Sequence, residues 1–164
     1  MNSLDTVKTL AEILRSRNWK MAAAESCTGG LVCASLTELA GSSEWFERGY
    51  ITYSNEAKTE CLGVPADLIE SHGAVSEQVA KAMAKGAQLN AGTNAALSIT
   101  GIAGPSGGSI EKPIGTVCFA WAIRSDAGEI RVLTKTMHFD GDRQSIRQQA
   151  CDYVLSELAK LLES

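Results

Sequence analysis

Helical and strand-like periods alternate along this chain from one end to the other, and that alternation confines it to a layered α/β fold. Leu4, Val7, Leu10, Ala11 and Leu14 recur at helical spacing, which predicts an amphipathic helix at the start. The small-residue run KMAAAE, from Lys20 to Glu25, reads as a short strand. An SCTGG loop follows, and Leu31, Val32, Ser35, Leu36 and Leu39 then share one side of a second helix. Next come a strand around Tyr50 to Ser54, a short helix bearing Lys58, another short helix within LGVPADLIESHGAVS, and an alanine-rich helix that Ser76 caps and that reaches about Asn90. Ala95 to Thr100 has the apolar run of a buried strand. A long glycine-rich loop, GIAGPSGGSIEKPIG, separates it from Thr116 to Ile123 and Ile130 to His138, which read as a hairpin around SDAGE. Ile146, Ala150, Val154, Leu158 and Leu161 mark the last helix. Helices interspersed with strands, plus one hairpin, predict a three-layer α/β/α sandwich with a mixed central sheet, as a single domain over residues 1–164.

Composition narrows the function classes. With 164 residues, 45% of them hydrophobic, the chain can bury a substantial core. A net charge of −4 argues against a general binder of nucleic acid or membrane surfaces, yet leaves room for a local basic pocket that takes a small anion. No signal peptide is visible, and the apolar runs fall well short of the roughly 18 residues a membrane span needs. Cys27, Cys33, Cys61, Cys118 and Cys151 form no CxxC pair and leave one cysteine over, so a reducing cytoplasm is the expected location. His72 and His138 are the only histidines, which leaves few candidates for a zinc site or a Ser-His-Asp triad. His72, in SHGAVS, reads as a loop or helix-end residue, and no metal or organic cofactor is expected.

The stretch GSSEWFERGYITYSNEAK, from Gly41 to Lys58, carries the most chemistry. Gly41 is suited to end the preceding helix, which places Ser42 and Ser43 on an accessible loop. Tyr53 ends a strand-like run, and Asn55 is suited to cap a helix whose first turn then carries Lys58. A cation near the positive end of a helix dipole, with some burial, has a lowered pKa and can act as a base toward a serine. The alternative is equally simple: a solvated Lys58, a core Tyr53 and serines that only cap.

Two glycine-rich connections follow strands, at Ser26 to Gly30 and at Thr100 to Gly108. Ser26, Thr28, Gly29 and Gly30 stand where a helix N-terminus binds a phosphate or carboxylate, or where the loop is an ordinary cap. Neither loop matches a P-loop or a GxGxxG fingerprint, which disfavours nucleoside triphosphates. Cys27 reads as a small buried hydrophobe, because no histidine is near in sequence to form its thiolate. Asp142 is placed to cap the last helix, and Arg143 pairs either with an anionic substrate or with a surface carboxylate.

Taken together, ESCTGG at Glu25, GSSEWFERGYITYSNEAK at Gly41, LGV at Leu62, HGAVSE at His72, SITGIAGPSGG at Ser98, GTV at Gly115 and GDR at Gly141 resemble the CinA carboxy-terminal domain family over nearly the whole chain. The stand-alone form of that domain hydrolyses nicotinamide mononucleotide to nicotinate mononucleotide and ammonia, in pyridine nucleotide recycling. No molybdopterin-binding-like domain precedes the match, so the resemblance is to the single-domain amidase. It implies Ser43 as nucleophile, within hydrogen-bond reach of Lys58 as base, with Tyr53 as an assisting hydroxyl. It also implies substrate-binding roles for Thr100 and Gly101 in ITGIAGP and for Arg143, and a homo-oligomer such as a dimer. The rival is a non-catalytic nucleotide-binding module that keeps the pocket without the nucleophile–base contact.

Overall fold

Alternate side chains along the strands point to opposite faces, and in this protein the two faces differ in side-chain size. The computed structural model describes residues 2–164. Five strands, β1 (Met21–Glu25), β2 (Phe46–Ile51), β3 (Ala95–Gly101), β4 (Thr116–Arg124) and β5 (Ile130–His138), form one sheet in the order β2-β1-β3-β4-β5. β1 pairs in parallel with β2 and with β3, whereas β3, β4 and β5 run antiparallel to one another, so the sheet is mixed as expected.

On one face, α1 (Ser3–Arg17), α2 (Leu31–Thr37) and α6 (Arg143–Glu163) cover Met21, Leu97, Ile99, Val117, Phe119 and Trp121. Phe119 packs against Tyr153 of α6 with ring centroids 4.9 Å apart, and the Trp121 indole donates to the Val154 carbonyl at 3.1 Å. The opposite face carries Ala22, Ala24, Ala96, Ala120 and Ala122, against α3 (Asn55–Leu62), α4 (Ala66–His72) and α5 (Glu77–Ala91). These small side chains let the alanine-rich α5 lie close to the sheet. Gly86 lets α5 approach the end of α3: a Cβ there would stand 2.0 Å from the Leu62 carbonyl oxygen, which explains a glycine inside a helix where alanine is ordinarily better by about 1 kcal/mol.

Polar side chains start the helices. Ser76 accepts from the Val79 amide at 3.2 Å and Asp142 from the Ser145 amide at 2.9 Å, both as expected. The cap of α3 is Ser54, which accepts from the Ala57 amide at 3.0 Å; Asn55 is the first helical residue. Lys58 therefore sits one position further into the helix than its spacing predicts. β2 also ends earlier than expected, at Ile51, because its partner β1 ends at Glu25. The Thr52 amide donates to the Glu25 carbonyl at 2.8 Å and the chain then leaves the sheet.

Candidate active site

β1, β2 and β3 are parallel and end at the same edge of the sheet, which is where α/β folds place their ligands. Ser26 follows β1, Thr52 to Ser54 follow β2, and Thr100 and Gly101 close β3. The Lys58 side chain reaches back from α3 into this edge. It is 1% exposed, and Nζ lies 2.9 Å from Ser26 Oγ, 3.0 Å from the Thr52 carbonyl oxygen, 3.1 Å from that of Tyr53 and 3.4 Å from that of Ser54. The residues just past the end of β2 thus supply the cradle of the lysine.

Burial lowers the pKa of Lys58, opposed by the neighbouring Cys27. The hydrogen-bond inventory accommodates both of its forms. As an ammonium it has three protons to share among Ser26 Oγ and the carbonyls, while the Ser26 hydroxyl can donate to the Tyr53 carbonyl at 3.4 Å. As a neutral amine it has two protons for the carbonyls at 3.0 and 3.1 Å and a lone pair left for the Ser26 hydroxyl. A serine beside a buried, carbonyl-held amine is an arrangement for nucleophilic attack.

These two residues open onto a cavity of about 220 Å³ whose wall includes Tyr53, Thr100, Gly101 and Arg143. The Arg143 guanidinium donates to the Gly104 carbonyl at 2.7 Å and to the Tyr53 hydroxyl at 3.2 Å, and among the described residues it meets no carboxylate. A cation held only by neutral oxygens at the mouth of a cavity is available to an anionic ligand.

The expected residues separate into two groups. Lys58, Tyr53, Ser26, Thr100, Gly101 and Arg143 converge on the cavity. Ser43 does not. It lies in a 3-10 turn, Ser42–Glu44, just before β2, whereas Lys58 binds the residues just after β2. Six residues of strand hold the two apart, about 20 Å of extended chain. The expected contact between Ser43 and Lys58 is therefore not formed, and Ser26 occupies that place. Tyr53 meets Lys58 through its backbone carbonyl, and its hydroxyl points to Arg143 instead. Thr100 Oγ1 donates to the Ala74 carbonyl at 2.9 Å.

The anion-binding reading of SCTGG changes as well. The amides of Gly30, Val32 and Cys33 at the start of α2 donate to the Glu25 carboxylate at 3.1, 3.0 and 2.9 Å, so a side chain of the protein already fills that helix N-terminus. Thr28 is buried, and neither it nor Gly29 and Gly30 forms part of the cavity wall. Burial pushes the Cys27 thiol up to about 12, which removes it as a nucleophile near neutral pH and agrees with its reading as a small hydrophobe. Glu25 is the residue whose role sequence reasoning missed. Its signal was present: a carboxylate at the end of an otherwise apolar strand, directly before a helix start.

Residues 4–162 match the family model of the CinA C-terminal domain. A nicotinamide-nucleotide amidohydrolase, PncC, of Pseudomonas putida is 46% identical over 162 residues, which cover 98% of each chain. The PncC of Escherichia coli K12 is 49% identical over 91% of this chain and 88% of its own. A CinA-like protein of Syntrophobacter fumaroxidans is 54% identical over 94% of this chain, which spans only 35% of that longer protein. Among solved structures, a competence damage-inducible protein A from Klebsiella pneumoniae superposes with a TM-score of 0.93 at 36% identity, covering 99% of this chain and 98% of that one. With a family match over nearly its full length and the same fold at that identity, this chain belongs to the CinA C-terminal domain family.

Proposed function

We propose that this protein is an amidohydrolase that converts nicotinamide mononucleotide to nicotinate mononucleotide and ammonia, with Ser26 as nucleophile and Lys58 as base. The observation that carries this reading is the 2.9 Å contact between Ser26 Oγ and a buried Lys58 Nζ at a cavity, in a chain whose relatives of similar length are nicotinamide-nucleotide amidohydrolases. Neutral Lys58 takes the Ser26 proton as Oγ attacks the carboxamide carbon. The tetrahedral intermediate collapses as Lys58 returns that proton to the departing nitrogen, which leaves as ammonia. Lys58 then deprotonates a water that attacks the nicotinyl ester, releases the acid and restores the serine. Arg143, which meets no carboxylate among the described residues, receives the 5'-phosphate. In the cell such a reaction returns nicotinamide nucleotide to NAD synthesis, and five free thiols fit a cytoplasmic setting.

Ammonia release from nicotinamide mononucleotide by the purified protein tests the reading. Turnover by the native chain, lost in Ser26→Ala at an unchanged melting temperature, supports it. Nucleotide binding with no ammonia release would favour the non-catalytic module instead.

A further inference from the structure

The loop that carries Ser26 is held by a residue that the reaction above does not use. Arg147, one turn into α6, donates from Nε to the Cys27 carbonyl at 3.0 Å and from Nη2 to the Thr28 carbonyl at 3.0 Å. The Thr28 carbonyl also accepts from the Leu31 amide, and the Ser26 carbonyl accepts from the Gly29 amide at 3.1 Å. Three successive carbonyls are thus fixed. In a trans peptide the carbonyl and the following N–H point in opposite directions, so fixing the first aims the second. The Gly29 N–H is used within the loop. The Cys27 N–H lies against its own Sγ and donates to no oxygen among the described residues.

Direction follows from topology. Arg147 approaches from α6 on one face of the sheet, whereas Lys58 approaches from α3 on the other. The Thr28 N–H, opposite to the carbonyl that Arg147 holds, therefore points away from α6. The Cys27 N–H is aimed by the relay from Arg147 through the Thr28–Gly29 peptide to the Ser26 carbonyl, and Cys27 lines the cavity. The amide directly after a serine nucleophile is a common oxyanion donor. Glu25 anchors the far end of the loop by taking the amides of Gly30, Val32 and Cys33.

We propose that Arg147 is a positioning residue for amide hydrolysis, holding the Ser26 loop so that the Cys27 N–H receives the oxyanion formed when Ser26 attacks. This inference rests on the Ser26 reading given above. In the intermediate the carbonyl π electrons move onto the carboxamide oxygen, the Ser26 proton resides on Lys58, and the Cys27 amide stabilises the new negative charge.

Arg147→Met removes both donors while keeping the stem, and Arg147→Lys restores a single donor. Each variant of the full chain is compared with the native one in kcat and KM for nicotinamide mononucleotide. Affinity is also measured for the product and for the analogue in which a formyl group replaces the carboxamide, which Ser26 converts to a tetrahedral oxyanion. For Arg147→Met the expected loss in kcat is on the order of 100-fold, as for one oxyanion donor. The formyl analogue should weaken in parallel with kcat/KM, product affinity should stay within about twofold, and Arg147→Lys should fall between. If Arg147→Met is unstable, Arg147→Lys in the cold carries the same comparison. A folded Arg147→Met with native kcat, or equal weakening of product and formyl analogue, overturns the assignment. A fully active Ser26→Ala overturns the Ser26 reading and this one with it; dependence on Ser26 without dependence on Arg147 overturns this one alone.

Discussion

The two ends of the parallel strands both present serines on a tight turn, yet the surroundings of those serines differ. At the carboxyl end, Ser26 faces a lysine that is 1% exposed and wrapped by three carbonyls, beside a cavity. At the amino end, Ser42 and Ser43 lie in a 3-10 turn whose Glu44 forms a surface ion pair with Arg15 at 3.2 Å, with side chains 65% and 39% exposed. Such a pair contributes about 0–1 kcal/mol. The difference lies in what surrounds the hydroxyl. Burial lowers the pKa of Lys58, and in the proposed reaction only the serine that touches this lysine can use it as a base.

Replacing members of the carboxyl-end pair gives the largest effects. Ser26→Ala and Lys58→Ala should each lower kcat by about 10⁴-fold or more, and the double variant should be scarcely slower than either, because the two act as a unit. Lys58→Arg should be equally inactive, since a guanidinium cannot lose its proton to become the base. Steady-state ammonia release checks all four. A Lys58→Arg variant with substantial turnover would mean that the cation, not the neutral amine, is what the reaction needs.

The pH dependence sharpens the same contrast. Below the pKa of Lys58 the lone pair is absent, so kcat/KM should fall about tenfold per pH unit on the acid side and level off above a pKa lower than that of an ordinary lysine. Stability runs in the same direction. The unfolded chain binds the proton more tightly than the folded one, so this group's contribution rises with pH between the folded and the unfolded pKa and is complete above the latter. Lys58→Met should remove that rise from a series of denaturation curves.

Arg143→Ala should cost less, about 10- to 100-fold in kcat/KM for the nucleotide, with little effect on the nucleoside that lacks the phosphate. A gap between the two substrates that survives the substitution would assign the phosphate elsewhere. Smallest of all is the effect expected at the amino end. Ser43→Ala should leave kcat/KM within about twofold of native, because its hydroxyl lies a strand length from Lys58. A large loss there would break the comparison between the two ends.

Much of the architecture was legible in the chain. Helical spacing in α1, α5 and α6, the small-residue run of β1 and the β4–β5 hairpin all lie where periodicity places them, since each is a local pattern. Ends were less legible because partners set them: β2 stops at Ile51 only because β1 stops at Glu25. Lys58, Tyr53, Thr100 and Arg143 were found from their motifs, and the cavity collects them. The partner of Lys58 was not. Ser43 is closer to it in sequence, but Ser26 is brought to it by the parallel pairing of β1 with β2, a relation between residues 32 positions apart that no local pattern reports. Glu25 and Arg147 act through backbone amides and carbonyls, whose directions are likewise set by the fold.

The central claim is that Ser26 attacks the substrate, and the covalent intermediate reports this directly. Protein mixed with nicotinamide mononucleotide, quenched in acid during turnover and digested, should yield a nicotinyl nucleotide ester on the peptide that contains Ser26, absent from Ser26→Ala and present in Ser43→Ala. An ester on Ser43, or turnover that continues in Ser26→Ala, would contradict the account.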